Sequence, residues 1–176
     1  MPKTKVATVW LDGCSGCHMS LLDMDAALVP LGEKIDLVYG PLVDTPEFPG
    51  DVDVTLVEGA ISSDEDQRKI LNIRERTRIL VALGDCAVTG NVPALRNGIC
   101  TKKMLEHIYV DGADEGKIIP TEEVPALLKQ ARPLREFVNI DYWLPGCPPS
   151  AAAILGFVTD LLEGRKPESN QLVKFG

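Results

Sequence analysis

The chain has 176 residues, of which 45% are hydrophobic and 25% charged, and its formal net charge is −8. This composition is typical of one globular domain, which we take to span residues 1–176. The acidic balance argues against a nucleic-acid partner, because phosphate contacts require clustered Lys and Arg. No apolar run approaches the length that a bilayer requires, and residues 1–4 leave no room for an export signal. We therefore expect a cytoplasmic protein without a membrane partner.

Hydrophobic patterning predicts strands that alternate with helices along the chain. The expected strands are 5–11, 35–39, 52–57, 78–83 and 138–144. Helices are expected at 18–29, stopped by Pro30-Leu31-Gly32, and at 63–77 and 150–162, with Ser63 and Asp66 as a capping box on the second. The remaining stretch between the fourth and fifth strands is an insertion, with a helix expected near 121–137. Its segment 91–135 carries apolar residues and is a candidate docking surface.

This alternation indicates a parallel sheet covered by helices on both faces. Five strands in this order fit a flavodoxin-like, doubly wound α/β fold with strand order 2-1-3-4-5 and an insertion between strands 4 and 5. In such a sheet the carboxyl ends of all strands lie at one edge. Ligands bind at that edge, near the point where the strand order reverses.

Four of the five cysteines follow strands that are neighbours in this order. Cys14 and Cys17 follow the first strand, Cys86 follows the fourth and Cys147 follows the fifth, while Glu58 ends the third. We therefore expect four sulfurs and one carboxylate at the same edge of the sheet. In a cytoplasmic protein such cysteines are metal ligands or redox groups more often than disulfides.

Four thiolates suit either zinc or an iron–sulfur cluster. Structural zinc sites usually show two closely spaced Cys pairs, whereas here one C-x-x-C pair is joined by two distant cysteines, and this spacing favours [4Fe–4S]. Two other interpretations stay open at this point. The run Cys14 to His18 has the C-x-x-C-H form of c-type haem attachment, and a C-x-x-C between strand and helix resembles a thioredoxin-type dithiol.

The chain also resembles the small, electron-transferring subunit of [NiFe] hydrogenases. The resemblance is carried by W-L-D-G-C-S-G-C-H-M-S-L-L-D, V-E-G-A-I, G-D-C-A-V-T-G-N-V-P-A and P-G-C-P-P, which together span residues 10–150. It implies that Cys14, Cys17, Cys86 and Cys147 hold the proximal [4Fe–4S] cluster, and that a large-subunit partner carries the Ni–Fe centre. The related quinone-reductase subunit of respiratory complex I has adjacent cysteines at the first motif, whereas Ser15-Gly16 separate them here.

Within that family, the short chain is most similar to the small subunit of cytoplasmic, NAD-linked bidirectional hydrogenases. Membrane-linked uptake enzymes have a longer small subunit, with an export signal and a cysteine-rich C-terminal part. The resemblance implies further partners, the iron–sulfur and flavin subunits of a diaphorase module, and the overall reaction of H2 with NAD+ to give NADH and H+. Some of these subunits have been proposed to bind FMN, but no residue here demonstrates it.

The remaining notable residues have plainer alternatives. Glu58 is a candidate proton relay or redox-dependent cluster ligand, and its alternative is a solvated carboxylate at a strand end. His18 is expected to cap the helix or bond a cluster sulfur rather than bind metal. For Trp10 and Trp143 we expect core or interface packing. Cys100 lies outside the motifs, and we expect a buried thiol.

Overall fold

A computed structural model describes residues 2–167 of the chain. Its strands are β1 (Thr4–Trp10), β2 (Ile35–Tyr39), β3 (Val52–Glu58), β4 (Ile61–Ser63), β5 (Thr77–Leu83), β6 (Leu127–Arg132) and β7 (Tyr142–Leu144). Five of them form a parallel sheet in the order β2-β1-β3-β5-β7, and β4 pairs with β6 in a separate antiparallel ladder. The predicted flavodoxin-like order is confirmed, since β5 and β7 are the fourth and fifth strands of the main sheet.

Six α-helices connect or follow the strands in the described residues. They are α1 (Gly16–Leu22), α2 (Leu28–Lys34), α3 (Asp64–Glu75), α4 (Gly84–Thr89), α5 (Thr101–Glu106) and α6 (Ala151–Leu162). None of the helices in residues 2–167 is long and apolar enough to cross a bilayer. The predicted single domain includes residues 1 and 168–176, which lie outside the described residues, and it stays a prediction.

Two apolar clusters cover the two faces of the sheet. On one face Leu80 and Ala82 of β5 pack with Ile70 and Ile73 of α3. On the other face Val81 and Leu83 of β5 pack with Phe157 of α6. Successive residues of a strand point to opposite faces, so a continuous apolar run is what a sheet buried on both sides requires.

The local sequence explains where α3 begins. The hydroxyl of Ser63 accepts a hydrogen bond from the backbone N–H of Asp66 at 3.1 Å, and the Asp66 carboxylate accepts one from the backbone N–H of Ser63 at 2.9 Å. This is the predicted capping box, and it satisfies two backbone donors that the first turn leaves without partners.

The first predicted helix is divided in the structure. α1 ends at Leu22, a 3-10 turn covers Asp25–Ala27, and α2 then runs from Leu28 to Lys34. The predicted helix stop at Pro30-Leu31-Gly32 is wrong, because Pro30 lies in the first turn of α2. Backbone N–H groups in a first turn have no acceptor within the helix, so the N–H that proline lacks is not needed there. Asp25 has a left-handed backbone, with φ of 48°, and this conformation interrupts the helix before α2.

The helix expected near 121–137 is also wrong. The segment instead forms β6 and a 3-10 turn at Leu134–Glu136. Pro125 and Pro133 flank β6 and disfavour a continuous helix. The short strand β4 offers the pairing partner for β6, and sequence patterning did not show β4 because it is three residues long.

The register of the main sheet aligns the ends of four neighbouring strands. Trp10 of β1 pairs with Glu58 of β3, Glu58 pairs with Leu83 of β5, and Leu83 pairs with Leu144 of β7. These four residues form one row across the sheet at its carboxyl edge. The loops that leave this row therefore begin side by side.

Candidate functional site

Three of these loops carry the four motif cysteines to one place. Cys14 lies in the loop after β1, and Cys17 lies in the first turn of α1. Cys86 lies in the first turn of α4, and Cys147 follows β7. All four line one cavity of about 70 Å³ together with Glu58. The expected convergence of four sulfurs and one carboxylate is therefore seen in the geometry.

Two glycines allow the loops to approach so closely. Gly59 has φ of +92°, and a Cβ there would lie 2.7 Å from the carbonyl carbon of Leu11. Gly84 has φ of +79°, and its Cβ would collide with the sulfur of Cys17. Both positions need the left-handed backbone that glycine adopts without strain. At Gly84 the missing side chain is also what leaves room for the sulfur.

Asp85 fastens the loop of Cys86 to the loop of Cys147. Its backbone N–H donates to the carbonyl oxygen of Gly146 at 2.9 Å, and its Oδ1 accepts from the backbone N–H of Gly146 at 2.7 Å. The hydroxyl of Ser20 on α1 donates to the carbonyl oxygen of Pro149, on the other side of Cys147. The Cys147 loop is thereby held from two neighbouring elements.

Glu58 lies behind the cysteines and is 2% exposed, so the alternative of a solvated carboxylate is wrong. Its Oε2 accepts a hydrogen bond from the backbone N–H of His18 at 3.0 Å. Its Oε1 lies 3.2 Å from Nδ1 of the buried His18 ring, but not in hydrogen-bond geometry. His18 therefore contacts Glu58 through both its backbone and its ring.

Burial and mutual proximity act on the thiols. Burial raises the pKa of the Cys17 thiol, and the Glu58 carboxylate beside it adds to the rise. Burial also raises the pKa of the Cys86 thiol, and the nearby Cys147 adds to the rise. The backbone N–H of Val92 acts in the opposite direction and lowers this pKa, but burial has the larger effect. Coordination to a metal centre offsets such effects, because the metal's charge stabilises the deprotonated sulfur.

The donor set fits an iron–sulfur cluster chemically. Four cysteine sulfurs are the usual ligands of [4Fe–4S], and clusters accept them from separate loops. Within residues 2–167, no group of three or more His, Cys, Asp or Glu side chains is arranged to hold a single metal ion.

Cys100 and the two tryptophans are placed differently from expectation. Cys100 is exposed immediately before α5, so the expected buried thiol is wrong. Backbone N–H groups of Lys103 and Lys102, at the start of α5, lower the pKa of its thiol. Trp10 and Trp143 are 49% and 41% exposed, which contradicts core packing and leaves interface packing as a prediction.

Sequence reasoning did not single out Asn91 or Asp85. Asn91 lies in the turn after α4, and its side-chain Nδ2 is 3.4 Å from Sγ of Cys147. Asp85 stands directly before Cys86, within the G-D-C motif. Their place in the G-D-C-A-V-T-G-N motif is the sequence signal that points to both residues, but their partners lie 56 and 61 positions away in the chain.

Comparison with known proteins agrees with this geometry. The model of the NADH ubiquinone oxidoreductase 20 kDa subunit family matches residues 14–161. The delta subunit of the NAD-reducing hydrogenase HoxS of Cupriavidus necator is 40% identical over 168 residues, covering 93% of this chain and 80% of that subunit. One subunit of the F420-non-reducing hydrogenase vhu of Methanocaldococcus jannaschii is 39% identical over 166 residues, covering 93% of this chain and 58% of that protein. The chain thus spans little more than half of the archaeal relative.

Solved structures give the same result. A chain of an NAD+-reducing [NiFe] hydrogenase in the H2-reduced state matches with a TM-score of 0.94 and 37% identity, covering 99% of this chain and 100% of that one. The [NiFeSe] hydrogenase of Dm. baculatum shares the fold, with a TM-score of 0.61 and 20% identity over 93% of this chain and 63% of that one. The chain belongs to the NADH ubiquinone oxidoreductase 20 kDa subunit family, and its predicted resemblance to [NiFe] hydrogenase small subunits is confirmed.

Proposed function

We propose that this chain is the electron-transfer subunit of a cytoplasmic NAD-reducing [NiFe] hydrogenase, and that Cys14, Cys17, Cys86 and Cys147 hold one [4Fe–4S] cluster. The observation that carries the proposal is the single cavity lined by these four cysteines, which come from three loops at neighbouring strand ends. When bound, a cluster of this kind takes up and releases single electrons.

The chain's own residues supply position and environment for that electron transfer. The glycines at 59 and 84 let the loops close around the cavity, and Asp85 keeps the loops of Cys86 and Cys147 together. Burial on the inner side limits access of water to Cys17. Hydrogen bonds, charge and solvent exposure are the features by which a protein sets a cluster's reduction potential.

The proposed partners are a large subunit that carries the Ni–Fe centre and a diaphorase module with iron–sulfur and flavin subunits. The support is the likeness to the delta subunit of an NAD-reducing hydrogenase and to a chain of an NAD+-reducing [NiFe] hydrogenase. In this proposal electrons pass between the large subunit and the diaphorase, and the overall reaction converts H2 and NAD+ into NADH and H+. NAD+ as the acceptor is consistent with the cytoplasm. FMN is left out because no residue in the described part points to it.

Glu58 has a proposed role of its own, either as a proton relay or as a residue that binds the cluster through a carboxylate oxygen when the cluster changes its oxidation state. Its burial, its place in the cavity wall and its contact with His18 support this role. Glu58→Gln keeps the shape of the side chain and the hydrogen bond from the His18 backbone. We expect iron content to be retained and H2-dependent reduction of NAD+ to slow. An unchanged rate, together with an unchanged EPR spectrum of the oxidised enzyme, would contradict the role.

The test of the proposed function is anaerobic purification of the native complex, with identification of the subunits that co-elute. We expect a brown protein whose broad visible absorbance is bleached by dithionite, with about four iron and four sulfide for this subunit's cluster. Because the proposed complex carries other clusters as well, variants of this chain are needed to assign iron and sulfide to the cluster held by its four cysteines. Cys86→Ala is expected to lose this cluster while the fold is kept, and Cys100→Ala is the matched control outside the cavity.

Other outcomes would favour the alternatives. Zinc without sulfide would indicate a zinc-binding domain, and a colourless protein with a reducible Cys14–Cys17 disulfide would indicate a thioredoxin-like dithiol. Co-elution with quinone-reductase subunits would indicate the complex I type. Normal cluster content in Cys86→Ala would remove the assignment of that ligand.

A further inference from the structure

The turn that follows α4 lies against two of the motif cysteines. Gly90 ends the helix with φ of +92°, and Asn91 has φ of +27°, a left-handed conformation that Asn tolerates better than most residues. The backbone N–H of Gly90 donates to the carbonyl oxygen of Cys86 at 3.0 Å, and that of Ala94 donates to the carbonyl oxygen of Asn91 at 3.1 Å. The turn is therefore held on both sides of Asn91.

From this turn the side chain of Asn91 reaches the loop after β7. Its Nδ2 donates a hydrogen bond to Sγ of Cys147, with 3.4 Å between the two atoms. The next residue, Val92, acts on a second cysteine, since its backbone N–H lowers the pKa of the Cys86 thiol. One short turn thus acts on sulfurs that follow two different strands.

We propose that Asn91 is a positioning residue that raises the reduction potential of the cluster, through the hydrogen bond that its amide donates to Cys147. This inference rests on the proposed function, because it presupposes the cluster. Reduction adds one negative charge, which is shared by the ligand sulfurs, and a donor to a sulfur stabilises the more negative state more strongly. The partially exposed position of Asn91 makes it separable from the core of the fold.

Two substitutions remove the donor without opposing the left-handed backbone. Asn91→Gly removes the side chain and tolerates positive φ, and Asn91→Asp keeps the shape but replaces the donor with a carboxylate. The matched control is Asn139→Asp, which adds the same charge at an exposed position before β7, at the opposite edge of the sheet from the cysteines.

The experiment is a potentiometric titration of the intact complex, followed by EPR, with iron quantified for each variant. We expect iron content to be retained and the potential to become more negative in both Asn91 variants, with the larger shift in Asn91→Asp. Because the bond stabilises both oxidation states, only the difference in its strength shifts the potential, so a bond worth about tenfold in an equilibrium constant limits the shift in Asn91→Gly to about 59 mV for one electron. Asn139→Asp is expected to leave the potential unchanged.

Unchanged potentials in both Asn91 variants would overturn the inference and leave the proposed function intact. Loss of iron from both variants would also overturn it, because Asn91 would then be needed to retain the cluster rather than to set its potential. A shift of equal size in Asn139→Asp would show a general effect of charge and would overturn it as well. A wild-type complex without this cluster would overturn the proposed function itself, and this result is distinct from the other three.

Discussion

Asp85 gives the sharpest prediction about how the cysteine loops are held. Its carboxylate accepts a hydrogen bond at 2.7 Å from the backbone N–H of Gly146, the residue directly before Cys147. Asp85→Ala removes this acceptor and leaves the Gly146 N–H without its partner. The backbone hydrogen bond from Asp85 to the Gly146 carbonyl, at 2.9 Å, does not depend on the side chain and should persist. The substitution therefore loosens one of two links between the loops.

The expected size of the effect follows from that single bond. A partly buried donor left without a partner costs about 1–3 kcal/mol, and bonds to a charged acceptor lie in the upper part of that range. Each 1.4 kcal/mol is a factor of about ten in an equilibrium constant. We expect Asp85→Ala to weaken retention of the cluster by about tenfold or more. Asp85→Asn keeps an oxygen acceptor without the charge and should fall between Ala and the wild type.

Iron release to a chelator under anaerobic conditions measures this retention, and urea unfolding of the same variants measures global stability. Asp114→Ala, an exposed substitution in the insertion, is the control for removing a carboxylate elsewhere. Iron release from Asp85→Ala at the wild-type rate, with an unchanged urea midpoint, would refute the view that this hydrogen bond holds the Cys147 loop.

Two further predictions concern the core and the free thiol. Phe157 is fully buried and lies edge-on to Tyr142, with ring centroids 5.9 Å apart. Phe157→Ala should therefore lower the free energy of unfolding, measured by urea titration, by about 3–5 kcal/mol. The control is Leu71→Ala at a half-exposed position, for which we expect a loss of about 0.5 kcal/mol. Equal losses in the two variants would contradict the assigned core. In cluster-free protein, Cys100 should be alkylated by iodoacetamide faster than Cys17 at neutral pH, because the pKa of Cys100 is lowered and that of Cys17 is raised. The alkylation rate of Cys100 should therefore reach its plateau at a lower pH than that of Cys17, and peptide mass spectrometry measures both rates. The reverse order would contradict the pKa directions assigned to the two thiols.

Most of the main sheet follows from local sequence. The strands β3 and β5 are mostly apolar or β-branched and mostly buried, as a sheet covered on both faces requires, whereas β2 at the edge of the sheet is partly exposed. The capping box of α3 depends on two side chains three residues apart, and it can therefore be predicted from the sequence alone. Elements of this kind are predictable because the interactions that form them are local.

The insertion and the first helix were not predictable in the same way. β6 forms because β4 offers it an edge, and β4 comes more than sixty residues earlier in the chain. The pairing is a contact between distant residues, whereas helix propensity describes only neighbours. The division between α1 and α2 depends likewise on one left-handed residue, Asp25, which no periodicity reveals.

By itself the sequence determined that the four motif cysteines and Glu58 meet at one edge of the sheet, because strand alternation defines the sheet order and the order defines the shared edge. Only the tertiary structure decided how those residues are held. The burial of Glu58 against His18, the link from Asp85 to Gly146 and the hydrogen bond from Asn91 to Cys147 each join segments 40 to 61 residues apart. Such contacts depend on side-chain positions that become defined when the loops are packed together, and no local pattern encodes them.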